Sequence, residues 1–153
     1  MKIETSRFGP IEIEADDIVF FRNGLLGFED CQHWVILADG ENDSLAWMQS
    51  MQFPKIAMPV VSPRKFVPGY QVRLDPKDVE LLQLSSAEQA FVLAVVSRDD
   101  DTLTLNLRAP LIVNLSRRMG CQIVTVDTQP IQYELSTLPT TMRKSMQSIR
   151  KSA

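Results

Sequence analysis

A small, mainly antiparallel β-barrel with one short helix is the fold class this sequence predicts. Three observations carry the prediction. Apolar residues recur with a period of two: Ile11 and Ile13 alternate with Glu12 and Glu14, and Leu103, Leu105 and Leu107 alternate with Thr102, Thr104, Asn106 and Arg108. That period sends successive side chains to opposite faces of a strand. Turn chemistry punctuates the chain at short intervals, at Phe8-Gly9-Pro10, Asn23-Gly24, Asp39-Gly40, Ser62-Pro63, Pro68-Gly69 and Asp99-Asp100-Asp101. Helix signals are strong in one segment only. Many short strands with few helices suit a barrel or sandwich, and a barrel closes its own edges.

The 153 residues suffice for one domain that buries most of its apolar surface. With 44% hydrophobic and 23% charged residues, the composition excludes a wholly disordered, collagen-like or coiled-coil chain. In order, the predicted strands are 2–5, 11–14, 17–21, 34–38, 45–50, 56–61 and 70–74, then Phe91 to Val96, Thr102 to Arg108, Leu111 to Val113 and 122–127. Phe91 to Val96 and Leu111 to Val113 are apolar throughout, as in strands covered on both faces. The helix starts at Asp75, an N-cap residue, with Pro76 at the first helical position and Asp78 in the first turn; Val79, Leu81 and Leu82 give it a packing face. Ser85-Ser86-Ala87-Glu88 has capping-box spacing but reads as a turn, because the Phe91 strand follows so soon. The barrel domain spans 1–138. A basic tail over 139–153 carries Met142, Met146 and Ile149 at helical spacing and reads either as helical or as disordered.

The net charge of −3 conceals an asymmetry. Arg143, Lys144, Arg150 and Lys151 lie in the tail with no acid beside them, leaving 12 basic against 19 acidic residues in the body. Such a body repels phosphate backbones and attracts basic partners, so no direct nucleic-acid binding is expected. The N-terminus lacks the apolar stretch of a signal peptide, and no apolar run approaches the roughly 20 residues of a membrane helix. Cys31 and Cys121 are isolated, which fits a cytoplasmic setting with free thiols but leaves a disulfide open.

Enzyme chemistry finds little to build on. His33 is the single histidine, no GxSxG presents a serine, and one His with two distant Cys makes no structural zinc site. His33 reads as a partly exposed loop residue. Asp99, Asp100 and Asp101 lack calcium-loop spacing and read as a solvated hairpin tip. Glu12 and Glu14 share a strand face but without an aromatic cleft beside them. Gly24 and Gly27 belong to neither a GxGxxG nor a Walker motif, and no cofactor is expected. Trp34 and Trp47 fall in strands and read as core. A non-enzymatic binding protein is the reading that remains.

Two segments stand out as partner-binding candidates. Gly24-Leu25-Leu26-Gly27-Phe28-Glu29 sets apolar side chains between glycines, either as a plug for one end of the barrel or as an exposed contact. In Asn106-Leu107-Arg108-Ala109-Pro110-Leu111-Ile112-Val113-Asn114, Pro110 cannot donate a ladder hydrogen bond and marks an edge or a break between two strands. Asn106 and Asn114 flank it, placed to hydrogen-bond irregular backbone. Leu25, Phe28, Glu29, Asn106, Arg108, Pro110 and Asn114 are therefore the candidate site residues. Phe28→Asp is expected to abolish partner binding in a folded domain.

Taken in order, these segments resemble the FliW family of bacterial flagellar assembly factors. The resemblance rests on Gly24 to Glu29 and the strand after it, Trp47-Met48-Gln49-Ser50, the stretch from Pro54 to Pro63, Asn106 to Asn114, and Gly120-Cys121-Gln122. It runs from about Ile3 to about Leu138. Two positions depart: Leu26 stands where the family usually has proline, and Ser62 where an aspartate is common. The resemblance implies a cytoplasmic regulator, a monomer when free, that binds flagellin. It also implies antagonism of CsrA, a dimeric RNA-binding translational repressor, once flagellin has been exported. An oligonucleotide- or oligosaccharide-binding barrel is the alternative, which a salt-titrated gel shift separates.

Overall fold

Alternation becomes pairing wherever two such segments meet. The computed structural model describes residues 1–86, 89–99, 101–125 and 128–135. Its strands are β1 (Lys2–Thr5), β2 (Gly9–Glu12), β3 (Ile18–Phe21), β4 (His33–Ala38), β5 (Ala46–Ser50) and β6 (Ala57–Val61), followed by β7 (Ala90–Asp99), β8 (Thr102–Leu105), β9 (Leu111–Asn114), β10 (Met119–Gln122) and β11 (Tyr133–Glu134). Helix α1 covers Pro76–Leu81, and single 3₁₀ turns cover Ala15–Asp17 and Pro63–Lys65.

The sheet runs β11-β8-β7-β6-β5-β4-β3-β10-β9, and a further pairing of β7 with β9 closes seven of these strands into a barrel. β10 and β3 run parallel, pairing Met119 with Phe20 and Gly120 with Phe21; the other ladders among the described residues are antiparallel. Gly120 permits that parallel contact, because a Cβ there would lie 2.4 Å from the Phe21 ring.

Both faces of the wall are covered at Leu111 to Val113, which is buried throughout, whereas Phe91 in the other apolar run is 54% exposed and Val92, Leu93 and Val95 are half-buried. Val19, Phe21, Trp34, Met48, Val60, Leu111 and Val113 fill the interior. Outside, Ile3 and Ile13 pack on Val35 of β4. Leu82 and Leu84, with Val79 and Leu81 of α1, cover Ile112 and Cys121. Tyr70, Leu103, Leu105 and Leu107 cover Trp47, Val61 and Ala94. Trp34 and Trp47 are thus both core.

Several expectations need correction. Residues 70–74 form no strand; Tyr70 and Val72 lie across the barrel exterior instead. The strand predicted at 122–127 ends at Gln122 and begins at Met119. Ile123 and Thr125 keep backbone bonds to Pro110 and Arg108 but no ladder, and residues 126 and 127 lie outside the described ones. The strand placed at 11–14 is Gly9–Glu12, because Glu14 is taken up as the cap of the 3₁₀ turn. β8 stops at Leu105, short of Arg108. His33 is an exposed residue at the start of β4, not of a loop, with its ring 5.2 Å from that of Phe20. Asp75 has the extended N-cap backbone before Pro76 but makes no side-chain cap bond. At the Ser85 turn, the Ser85 N–H and hydroxyl both donate to Gln89 Oε1; Ala87 and Glu88 lie outside the described residues, as do the tail and the boundary placed at 138. Both cysteines are free and buried. Among the described residues no helix is long and apolar enough to cross a membrane.

Candidate partner-binding surface

The loop from Gly24 to Glu29 turns on its glycines. Leu25 and Phe28 exchange backbone hydrogen bonds, Leu25 N–H to Phe28 O at 3.3 Å and Phe28 N–H to Leu25 O at 2.7 Å. Leu26 and Gly27 therefore form the tip. Gly27 has φ +87°, the left-handed value that the third position of a type II turn demands. Gly24 has φ +65°, and a Cβ on it would lie 2.5 Å from Phe28 O. Glu29 folds back so that its Oε1 accepts the Gly27 N–H at 3.1 Å. The apolar residues of this loop divide between core and surface. Leu25 is 2% exposed and joins the interior core as a plug, whereas Leu26 is 60% exposed at the tip. Phe28 is half-buried, edge-on to Trp34 with centroids 6.5 Å apart, and Glu29 is exposed.

The second segment is a break in one long strand. β8 and β9 both pair along β7, Leu105 with Val96 and Leu111 with Leu93. Residues 106–110 bulge between them. Asn106 Oδ1 accepts the N–H groups of Arg108 (3.2 Å) and Ala109 (3.1 Å), and the Asn106 N–H donates to Val95 O. The Tyr70 hydroxyl donates to Leu107 O at 2.6 Å, and burial pushes this phenol up to about 12. Arg108 is half-buried, its Nε donating to Gln129 O at 3.0 Å. Pro110 is buried, and its carbonyl accepts the Ile123 N–H. Asn114, 1% exposed, accepts from the Ser116 and Arg117 N–H groups and donates to Leu82 O at 2.8 Å, tying the end of α1 to the β9–β10 turn.

Gln122 joins the two segments. Its Oε1 accepts the Leu26 N–H at 2.7 Å, and its Nε2 donates to Ala109 O at 3.0 Å. The loop tip and the strand break are thus held at a fixed separation by one side chain. Leu25, Pro110 and Asn114 lie beneath the surface; Leu26, Glu29 and the half-buried Phe28, Asn106 and Arg108 reach it, with Asn114 tied to α1 and apart from the rest. Sequence reasoning passed over Gln122, whose one signal was its place in Gly120-Cys121-Gln122 beside the break. Leu26, part of the glycine-flanked apolar segment but not among the candidate site residues, is the exposed tip. The N–H that Leu26 offers Gln122 is one a proline at that position would lack.

Burial, with Asp78 second, pushes the Cys121 thiol up to about 12, leaving it protonated and a poor nucleophile. Among the described residues no group of three or more His, Cys, Asp or Glu side chains is placed to hold a metal ion.

Residues 2–135 match the sequence model of the FliW protein family. The chain is 40% identical over 129 residues to the flagellar assembly factor FliW of Bdellovibrio bacteriovorus, covering 83% of this chain and 74% of that protein. It is 36% identical over 138 residues to that of Syntrophus aciditrophicus, covering 88% and 87%. A crystal structure of the flagellar assembly factor FliW superposes with a TM-score of 0.79 at 28% identity, over 88% of this chain and 95% of that one.

Proposed function

The chain belongs to the FliW family of flagellar assembly factors, and from that premise we propose that it works by binding proteins rather than by catalysis. It holds flagellin in the cytoplasm and, once flagellin is exported, is free to bind the repressor CsrA and relieve repression of flagellin translation. The observation that carries this reading is the exposed loop tip, Leu26 with the Glu29 carboxylate, held against the strand break through Gln122. A preformed apolar tip beside an acid loses little conformational freedom on docking. The acidic body supports the CsrA half of the reading, because it attracts a basic RNA-binding protein and repels the RNA that competes for it.

The test uses purified flagellin and CsrA titrated separately into this protein. Phe28→Asp is a poor probe, since Phe28 packs on Trp34 and a carboxylate there destabilises the fold. Leu26→Asp leaves the core untouched. The expected outcome is a loss of about tenfold or more in affinity for at least one partner, with an unchanged urea midpoint. Wild-type protein that binds neither partner overturns the function; unaltered binding by Leu26→Asp overturns the surface.

A further inference from the structure

One antiparallel ladder of the closed barrel is short. β6 and β7 pair only through Val60 with Val95 and Val61 with Ala94, whereas β4 and β5 pair over Trp34 to Ala38. Beyond Val60, the residues Ala57, Met58 and Pro59 stay paired with β5, while Val96 and Ser97 stay paired with β8. The ladder between the two strands ends there, and Pro59 has no N–H with which to continue it. A slot of about 700 Å³ results, walled by Ile56 to Pro59 on one side and Val95 to Ser97 on the other. That volume lies in the range of ligand-binding clefts. Met58 and Val95 belong to the interior cluster yet are only half-buried, while neighbouring Val60 is fully buried, so the slot reaches the core. Phe28 lines its interior side and Trp47 its exterior side.

The slot also differs in charge from the body around it. Arg7 and Lys55 line it, and among the described residues the carboxylate beside it is Asp39, which accepts the Trp47 Nε1–H at 3.0 Å. The Arg7 guanidinium lies over the Trp47 ring at 4.1 Å, with Asp39 close enough to offset part of its charge, and Lys55 stands exposed at the mouth. Two strand backbones without a ladder between them suit an added extended chain, whose main chain supplies the bonds they do not make to each other. Basic residues on an otherwise acidic protein suit carboxylates on that chain.

We propose that the slot between β6 and β7 accepts an extended, acid-flanked segment of a partner protein as an added strand. The proposal rests on the reading that this chain binds proteins, and it names a place for one to dock. Ala57 to Pro59 span roughly 10 Å as a strand, so three or four residues of the partner would be engaged.

The test is a titration of the ¹⁵N-labelled full chain with a capped pentapeptide, Asp-Val-Thr-Val-Asp, and with its lysine counterpart, Lys-Val-Thr-Val-Lys. The acidic peptide is expected to shift the amide resonances of Ala57, Met58, Val96 and Ser97, and the lysine peptide to bind about tenfold more weakly. Lys55→Glu, an exposed change, is expected to remove that preference while leaving resonances elsewhere in place. Shifts confined to other residues, equal affinity for the two peptides, or an undiminished preference in Lys55→Glu overturns the proposal. Concentration-dependent shifts of these amides without peptide, accompanied by a dimer in sedimentation, overturn it in favour of a second copy of the chain. The peptide result stands apart from the flagellin and CsrA titrations, which decide the function.

Discussion

Two irregular places in this barrel are closed in opposite ways. The Gly24–Glu29 loop is closed largely from within, by the Leu25–Phe28 backbone exchange, the Glu29 cap on Gly27 and two glycines at positive φ. The Asn106–Pro110 break is closed largely from outside. Asn106 is its one local fastening; Tyr70, Gln122 and the backbone at Ile123, Thr125, Gln129 and Pro130 supply the rest. Closure from within depends on backbone conformation and fails when a Cβ intrudes. Closure from outside depends on buried polar pairs and fails when a distant partner is removed or ionised.

Gly24→Ala tests the first kind most severely. The new Cβ meets Phe28 O at 2.5 Å and Glu29 Cα at 2.7 Å on a backbone at φ +65°. We expect a loss of about 3 kcal/mol by urea unfolding, the sum of left-handed strain and backbone overlap. A loss smaller than that of the next substitution would invert the comparison.

Tyr70→Phe tests the second kind. It leaves Leu107 O without its buried donor and is expected to cost about 1–2 kcal/mol at neutral pH. The phenol adds a pH signature. Folding raises Tyr70 from 10.0, and Cys121 from 9.0, to about 12 by burial. Their neutral forms are therefore favoured in the folded state. The stability they contribute is fully present below the unfolded values and is lost as pH climbs from about 9 toward 12. The wild-type urea midpoint should fall across that window, and the Tyr70→Phe midpoint should fall less. An identical fall in both would remove Tyr70 as a cause.

Leu26→Pro has the smallest expected effect and sharpens the comparison most. Proline fits the second position of the turn but removes the N–H that bonds Gln122. Gain and loss should nearly cancel, leaving stability within about 0.5 kcal/mol of wild type. A loss as large as that of Tyr70→Phe would show that this loop, too, is fastened from outside.

What was legible in the sequence follows the same division. Asn23-Gly24 read as a turn, and Gly24 does adopt positive φ. Pro110 read as a break, with Asn106 and Asn114 serving irregular backbone, and their side chains do so. Asp75-Pro76 placed the helix start. Tyr70 and Val72 looked like strand residues because aromatic and β-branched side chains suit a pleated surface, yet they cover such a surface instead of extending it. The strand centred on Val124 moved upstream to Met119–Gln122 because Gly120 is where a second backbone can approach Phe21. Gln122 was invisible as a link, since its partners Leu26 and Ala109 are 96 and 13 residues away.

By itself, then, the sequence determined the strand-rich fold class, the turns, the start of the helix and the break at Pro110. Each depends on the φ, ψ and hydrogen-bonding capacity of residues close together in the chain, which local composition encodes. Only the tertiary structure decided that β7 meets β9 to close the barrel, that β10 lies parallel to β3, that Gln122 spans loop and break, and that the β6–β7 ladder is limited to two pairs. Those are choices of partner. An alternating pattern says which face of a strand is buried, but many strands carry the same pattern, and packing alone selects among them.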